Sequence, residues 1–173
     1  MGICINRFLK AVYLISGKVE KCCYFEVSYE KVFIIKREVV SMTDRKLIDM
    51  AAEVMVNSYS PYSRFKVGAA VECADGDVFT GCNIENVAYG AAICAEQSAI
   101  SAAISAGKKE FKRIAIISEG NAYCFPCGKC RQIMGEFSPD MEVLSVRADG
   151  RYVSYPLSTL LPMAFGKEHL TSI

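Results

Sequence analysis

Three cysteines constrain this chain more than any other feature: Cys94, and the pair Cys127 and Cys130 in Phe125-Pro-Cys-Gly-Lys-Cys130. A Cys-x-x-Cys turn lets two thiolates grip one metal ion. The third sulfur comes from a distant stretch, Ile93-Cys-Ala-Glu-Gln-Ser-Ala-Ile100. If one ion is bound, the fold has to bring both stretches together. Four protein ligands close a structural zinc site, whereas three leave the fourth position to water. Glu96, two positions after Cys94, is expected to face that water. His169 is the one histidine of the chain and has no ligand spacing around it. The pattern therefore predicts a three-cysteine site holding one Zn2+ per subunit.

The local patterns put those thiols at the starts of helices. Ser41-Met-Thr-Asp44 reads as an N-terminal cap, and Leu47, Ile48, Ala51, Val54 and Met55 recur at helical spacing. That helix is expected to end near Tyr59, because Ser60-Pro61 is a breaker. FKVGAAVECA reads as a buried strand, ADGD as a tight turn with Gly76 at positive φ, and VFTGCNI as the returning strand. After an irregular NVAYGAA, the run AEQSAISAAISA is rich in helix formers, with Gly107 where a C-terminal cap belongs. RIAIIS is a short strand and FPCGKCRQIMGEF begins a second helix with Cys127 and Cys130 in its first turn. MEVLSVRA gives a fourth strand, RYVSYP a fifth, and STLLPMAF a terminal helix interrupted or begun at Pro162. Strands alternating with helices argue for a layered α/β domain with its motifs at strand-to-helix turns. Helix N-termini favour negative charge and lower thiol pKa values, which suits both cysteine groups.

Composition narrows the partners. With 173 residues the chain fits one domain, and its formal net charge of +1 leaves no electrostatic footprint for nucleic acid. A small neutral substrate fits better. Nine cysteines without a short secreted framework point to a reducing, cytoplasmic compartment. No run of about 18 apolar residues argues for a membrane-spanning helix.

Zinc can lower the pKa of water from about 15.7 to about 7. Three thiolates oppose this, since they leave the site a formal charge of −1, so positive ends are expected nearby. The two helix N-termini qualify, and Arg131, next to Cys130, is placed to donate to a ligand sulfur. Glu96 is expected to take a proton from that water and hand it on to the bound substrate. Other readings compete for single pieces of this pattern. Cys127-x-x-Cys130 alone suits a structural zinc knuckle or a redox pair, and Glu96 alone suits a charged helix surface. Cys124, Cys127 and Cys130 also spell the start of a ferredoxin-type cluster, but the required fourth cysteine is missing. Cys73, Cys82 and Cys124 are read as core or incidental thiols. A non-catalytic zinc module explains the cysteines but not an open position beside Glu96.

At these residues the chain resembles the small, homotetrameric type of the cytidine deaminase family, whose Cys-Ala-Glu and Pro-Cys-x-x-Cys order it repeats in the three-cysteine variant. The resemblance runs from about Thr43 to Leu170 through SPYSRFKVGAA, GCNIENVAYG, CAEQSAI, PCGKCRQ and LLPMAF. It implies a three-layer α/β/α sandwich with a central mixed sheet of about five strands. It also implies hydrolytic deamination of cytidine and 2′-deoxycytidine, with Cys94, Cys127 and Cys130 on zinc and Glu96 as catalytic acid/base. Asn83 and Glu85 would hold the ribose 3′-hydroxyl, Phe65 would pack on the substrate, and the backbone around Ala95 would hydrogen-bond the pyrimidine. Phe165 would reach into a neighbouring subunit's site, so a homotetramer with shared sites is implied. Many similar proteins carry Arg after the catalytic Glu, where this chain has Gln97, which shifts charge compensation towards Arg131. A deaminase of blasticidin S shares the metal motifs, but Asn83 and Glu85 together favour a nucleoside. Deaminases that edit tRNA or DNA fit the near-neutral charge less well.

Residues 1–41 carry no motif tied to the site. Their alternation in YFEVSYEKVFIIKREVV suits β-strand, and their start weakly resembles a signal peptide without a good cleavage site. Asn6 stands where a myristoylation signal wants Ser or Thr. The sequence is accordingly divided into an N-terminal extension, 1–41, read as an upstream extension of the reading frame, and a catalytic domain, 42–173.

Overall fold

A computed structural model describes residues 42–170. The expectations for residues 1–41 lie outside the described residues. Thr43 opens the first helix, its hydroxyl accepting from the Lys46 N–H at 3.2 Å, and Asp44 adds a carboxylate to the first turn. Helix α1 spans Asp44–Met55 and buries Leu47, Ile48 and Ala51. It stops short of Tyr59 because the Tyr59 N–H bonds instead to the Asn83 carbonyl, at 3.1 Å.

Two strands follow, β1 (Val67–Cys73) and β2 (Val78–Cys82). The turn between them needs Gly76, whose φ is 90°. Helix α2 (Ala95–Ser105) ends at Gly107, with φ 86°. Strand β3 (Phe111–Ser118), helix α3 (Gly128–Phe137), strands β4 (Glu142–Val146) and β5 (Tyr152–Pro156) complete the sheet. Helix α4 is only Leu157–Leu160, because Leu161 precedes Pro162 and is held out of the helical region at φ −134°.

The sheet order is β2-β1-β3-β4-β5. β1 runs antiparallel to β2 and β3, β3 runs parallel to β4, and β5 returns antiparallel. The parallel pair needs a crossover, and the chain between them includes α3. Alternation along the strands separates two cores. Ala70, Ala115, Ile117, Leu144 and Val146 pack with Leu47, Ile48 and Ala51 of α1. Ala69, Val71, Ile114, Ile116 and Val143 pack with α2 and α3 residues such as Ala99, Ala103 and Met134. The result is the three-layer α/β/α sandwich with a mixed five-stranded sheet.

The register gathers four connections at one edge. Val67 pairs with Ser118, Gly68 with Cys82, and Ile117 with Val146. The segments entering β1 and leaving β2, β3 and β4 therefore meet outside the carboxyl ends of the parallel pair, where open α/β sheets place their ligands.

Close approach of α2 to this edge depends on Gly81. A Cβ there would lie 2.4 Å from the Ala99 nitrogen and 2.8 Å from the Ala95 carbonyl oxygen, both backbone atoms that cannot swing aside. Gly81→Ala is expected to cost about 2 kcal/mol by forcing α2 off β2. Denaturant unfolding measures it. An unchanged midpoint would mean that α2 is not seated on the strand.

Candidate metal centre and active site

Each cysteine group begins a helix. Cys94 is the N-cap of α2 with extended φ and ψ of −75° and 157°, and Cys127 is the N-cap of α3 at −68° and 165°. Cys130 follows one turn later, fully buried, while Cys127 is exposed. The three sulfurs lie within 4.8 Å of one another, with Cys94 and Cys127 Sγ at 3.9 Å. Two sulfurs on a tetrahedral zinc, each bonded at about 2.3 Å, lie about 3.8 Å apart. The donor set therefore fits zinc in type and spacing.

The thiols also share their protons unequally. A hydrogen bond from Cys130, against some cost of burial, pulls the Cys94 thiol down to about 6. The same hydrogen bond, then burial, pushes Cys130 up. Cys94 thus ionises more readily than Cys130, and a second thiolate beside the first calls for a cation. Lys129 also lowers Cys94 through its charge.

Glu96, in the first turn of α2, is 5 % exposed. Burial pushes its carboxyl up to about 7, and the neighbouring Cys94 charge adds to this. A hydrogen bond with Cys130 works the other way. This is a carboxyl poised to exchange a proton near neutral pH, in contact with the cysteine cluster. Ala95, the first residue of α2, is fully buried. Its N–H belongs to the helix end whose donors lack intrahelical acceptors.

The two neighbours expected to tune the site do so differently. Gln97 Oε1 accepts from the Cys94 N–H at 3.2 Å, fixing the backbone of a ligand by capping its helix. Arg131 does not hydrogen-bond a ligand sulfur. Its Nε donates to the Pro126 carbonyl at 2.9 Å and its Nη1 to the Leu160 carbonyl at 2.8 Å. Those two carbonyls are better acceptors than a thiol, so the guanidinium braces the turn before Cys127 against the end of α4. The positive charge felt at Cys94 comes from Lys129 instead, which the sequence reading missed.

A small ladder beside the sheet delivers the other candidate residues. Ile84 and Ile93 exchange both backbone hydrogen bonds at 2.9 Å, and Tyr59 bridges the other side of Ile84. Asn83 and Glu85 are thereby fixed next to the strand that leads into Cys94. Asn83 Oδ1 accepts from Ser58 Oγ (2.6 Å) and the Val67 N–H (2.8 Å), and its Nδ2 donates to the Phe65 carbonyl (2.8 Å). Glu85 Oε2 accepts from the Tyr62 and Ser63 N–H groups at 2.8 and 3.2 Å, and Oε1 from the Ser63 hydroxyl. Ser63 chiefly, helped by those two amides, holds the Glu85 carboxyl below the usual range. Tyr62, Ser63, Glu85, Asn86, Tyr89 and Ala92 line a cleft of about 370 Å³, and the ring of Phe65 is half exposed. Ser58, Ser63 and Tyr89 were not singled out from the sequence. The only signal for the serines was a hydroxyl-rich turn, Ser58-Tyr-Ser-Pro-Tyr-Ser63.

Phe165 is not brought to the cysteines of its own chain. Exposed over more than half its surface, it stacks on His169 with ring centroids 5.2 Å apart, and its carbonyl accepts from Gln132 Nε2 at 2.8 Å. It lines a separate cavity of about 660 Å³ between α3 and the segment after β5. The fourth possible thiol, Cys124, is pushed up to about 11 by burial and stays outside the sulfur trio. That excludes it as a ligand in this arrangement.

Two helix N-termini presenting three thiols beside a buried carboxyl define a zinc centre of the hydrolytic class on an α/β/α sandwich. The chain belongs to the cytidine and deoxycytidylate deaminase family: the profile of that family's zinc-binding region matches residues 41–145. A cytidine deaminase of Sporosarcina psychrophila is 40% identical over 131 residues, covering 75% of this chain and 96% of that protein. The crystal structure of a cytidine deaminase from Burkholderia pseudomallei superposes with a TM-score of 0.70 at 43% identity, over 72% of this chain and all of the other. A blasticidin-S deaminase from Bacillus cereus is more remote, 28% identical over 134 residues, covering 73% of this chain and 94% of that protein.

Proposed function

We propose that the protein hydrolyses cytidine and 2′-deoxycytidine to uridine and 2′-deoxyuridine, releasing ammonia. The observation that carries this reading is Glu96, a buried carboxyl with its pKa raised to about 7, touching the three-thiol cluster. Cys94, Cys127 and Cys130 would hold zinc, which when bound lowers the pKa of water enough to supply hydroxide at neutral pH. Glu96 takes the proton of the attacking water and delivers it to the ring nitrogen beside the carbon under attack. It then takes the remaining proton from the added hydroxyl and passes it to the exocyclic amine; as that oxygen forms the carbonyl of the product, the carbon–nitrogen bond breaks with its electron pair going to nitrogen, and ammonia leaves. The backbone at Ala95 holds the pyrimidine and Phe65 packs on the substrate. Asn83 donates its remaining Nδ2–H, and Glu85 accepts, at the ribose 3′-hydroxyl.

Homotetramerisation, with Phe165 lent to a neighbour's site, is part of this reading. Exposed Tyr123, Phe125, Tyr155 and Phe165 supply apolar surface for it. A cytoplasmic setting agrees with six free thiols among the described residues and with the absence there of any helix long and apolar enough to cross a membrane. The test is ammonia release and loss of cytosine absorbance with cytidine, 2′-deoxycytidine and free cytosine, before and after a chelator strips zinc. Turnover of both nucleosides but not the base, lost on chelation and restored by zinc, is the expected result. Failure on all three by zinc-loaded protein would overturn the proposal in favour of another amine, blasticidin S first.

A further inference from the structure

We infer that Ser63 is a positioning residue for the sugar end of the substrate, because its single hydroxyl decides which lone pair of Glu85 is open. The inference rests on the reading of Glu85 as the 3′-hydroxyl contact.

A carboxylate offers about four acceptor directions. Three of those on Glu85 are taken by one turn: two on Oε2 by the Tyr62 and Ser63 N–H groups, and one on Oε1 by the Ser63 hydroxyl. The direction left over is on Oε1, the oxygen that Ser63 also holds. The serine has no freedom to point elsewhere. Its Oγ accepts from the Phe65 N–H at 3.0 Å, which turns its own hydrogen towards Glu85. Between these two residues Arg64 sits at φ 56°, a left-handed conformation unusual for a side chain of that size. Such backbone persists where surrounding contacts over-determine it, and here the Ser63 contacts flank it on both sides. A partly exposed glutamate would otherwise sample several rotamers. Held this way, it presents one acceptor in one direction before any ligand arrives.

The test compares 2′-deoxycytidine with 2′,3′-dideoxycytidine, which differ only in the 3′-hydroxyl, on the zinc-loaded full chain. Ser63→Ala is expected to lower kcat/KM for 2′-deoxycytidine by about tenfold, mostly through KM, as the loss of one hydrogen bond to a charged group implies. For the dideoxynucleoside the change stays within about twofold, since no hydroxyl reads Glu85 there. Ser63→Thr, which keeps the hydroxyl, restores the wild-type ratio between the two substrates. Equal loss on both substrates, or no loss on either, overturns the role of Ser63. Glu85→Gln run alongside separates the two levels. If Glu85→Gln selectively harms the 3′-hydroxyl substrate and Ser63→Ala does not, only the serine proposal fails. If Glu85→Gln fails to discriminate, the reading of Glu85 falls, and the serine proposal with it.

Discussion

Glu96→Gln lowers kcat for cytidine by about 10³-fold, the middle of the range for a positioned acid/base group, while one zinc per chain remains bound. The amide keeps the shape of the carboxyl in a site only 5 % exposed, so no cavity opens. It also removes a carboxyl whose charged form burial disfavours, so the unfolding midpoint stays level or rises. What disappears is the ability to hold a proton between its removal from water and its delivery to the ring. Steady-state kinetics with metal analysis on the same preparation checks this. Turnover near wild type with zinc in place would take Glu96 out of the chemistry and leave the thiol cluster as a structural centre.

The second large effect lies at the far side of the molecule. Arg113 donates through Nε to Glu72 at 2.6 Å and through its other nitrogens to Asp44 and to the Met42 carbonyl. Glu72 is 5 % exposed, and Tyr152 Oη donates to the second oxygen of Asp44 at 2.8 Å. One guanidinium on β3 thus ties the start of α1 to β1, and Asp44 carries the link on to Tyr152 of β5. Arg113→Ala leaves Glu72 buried with only Lys112, at 3.7 Å and half exposed, to offset its charge. The expected loss is about 3 kcal/mol in denaturant unfolding, because an abandoned buried charge costs more than the pair contributes. Adding Glu72→Gln to the variant removes the stranded charge and recovers part of that loss. A cost below about 1 kcal/mol would mean that water reaches Glu72 once the arginine is gone.

The parts of this molecule that were legible in the sequence are those encoded locally. Cys127 and Cys130 announce themselves by spacing, and the helices after Cys94 and Cys127 follow from their helix formers and from Gly107. Gly76 marks the first hairpin, and the five strands fall on the stretches read as strands. What escaped was encoded between distant positions. The ladder joining Tyr59, Ile84 and Ile93 consists of single bridges, which have no period to detect. The same ladder ended α1 and β2 earlier than their patterns suggested, by giving Tyr59 and Asn83 other partners. Ser63 meets Glu85 across 22 positions, and nothing in either stretch names the other. Adjacency to Cys130 points Arg131 towards a sulfur. The carbonyls of Pro126 and Leu160 claimed it, and the second of these lies 29 positions away.

Cys94 and Cys127 are separated by 33 positions, a span that contains the whole of α2 and β3. A link between their sulfurs that survives unfolding acts on the disordered chain as well as on the folded one, by closing a loop. For a covalent link over that span the lost chain entropy amounts to about 3–4 kcal/mol. A chain that folds before it meets its ion has to find that juxtaposition through packing alone, and the bare face of Gly81 is where α2 finds it.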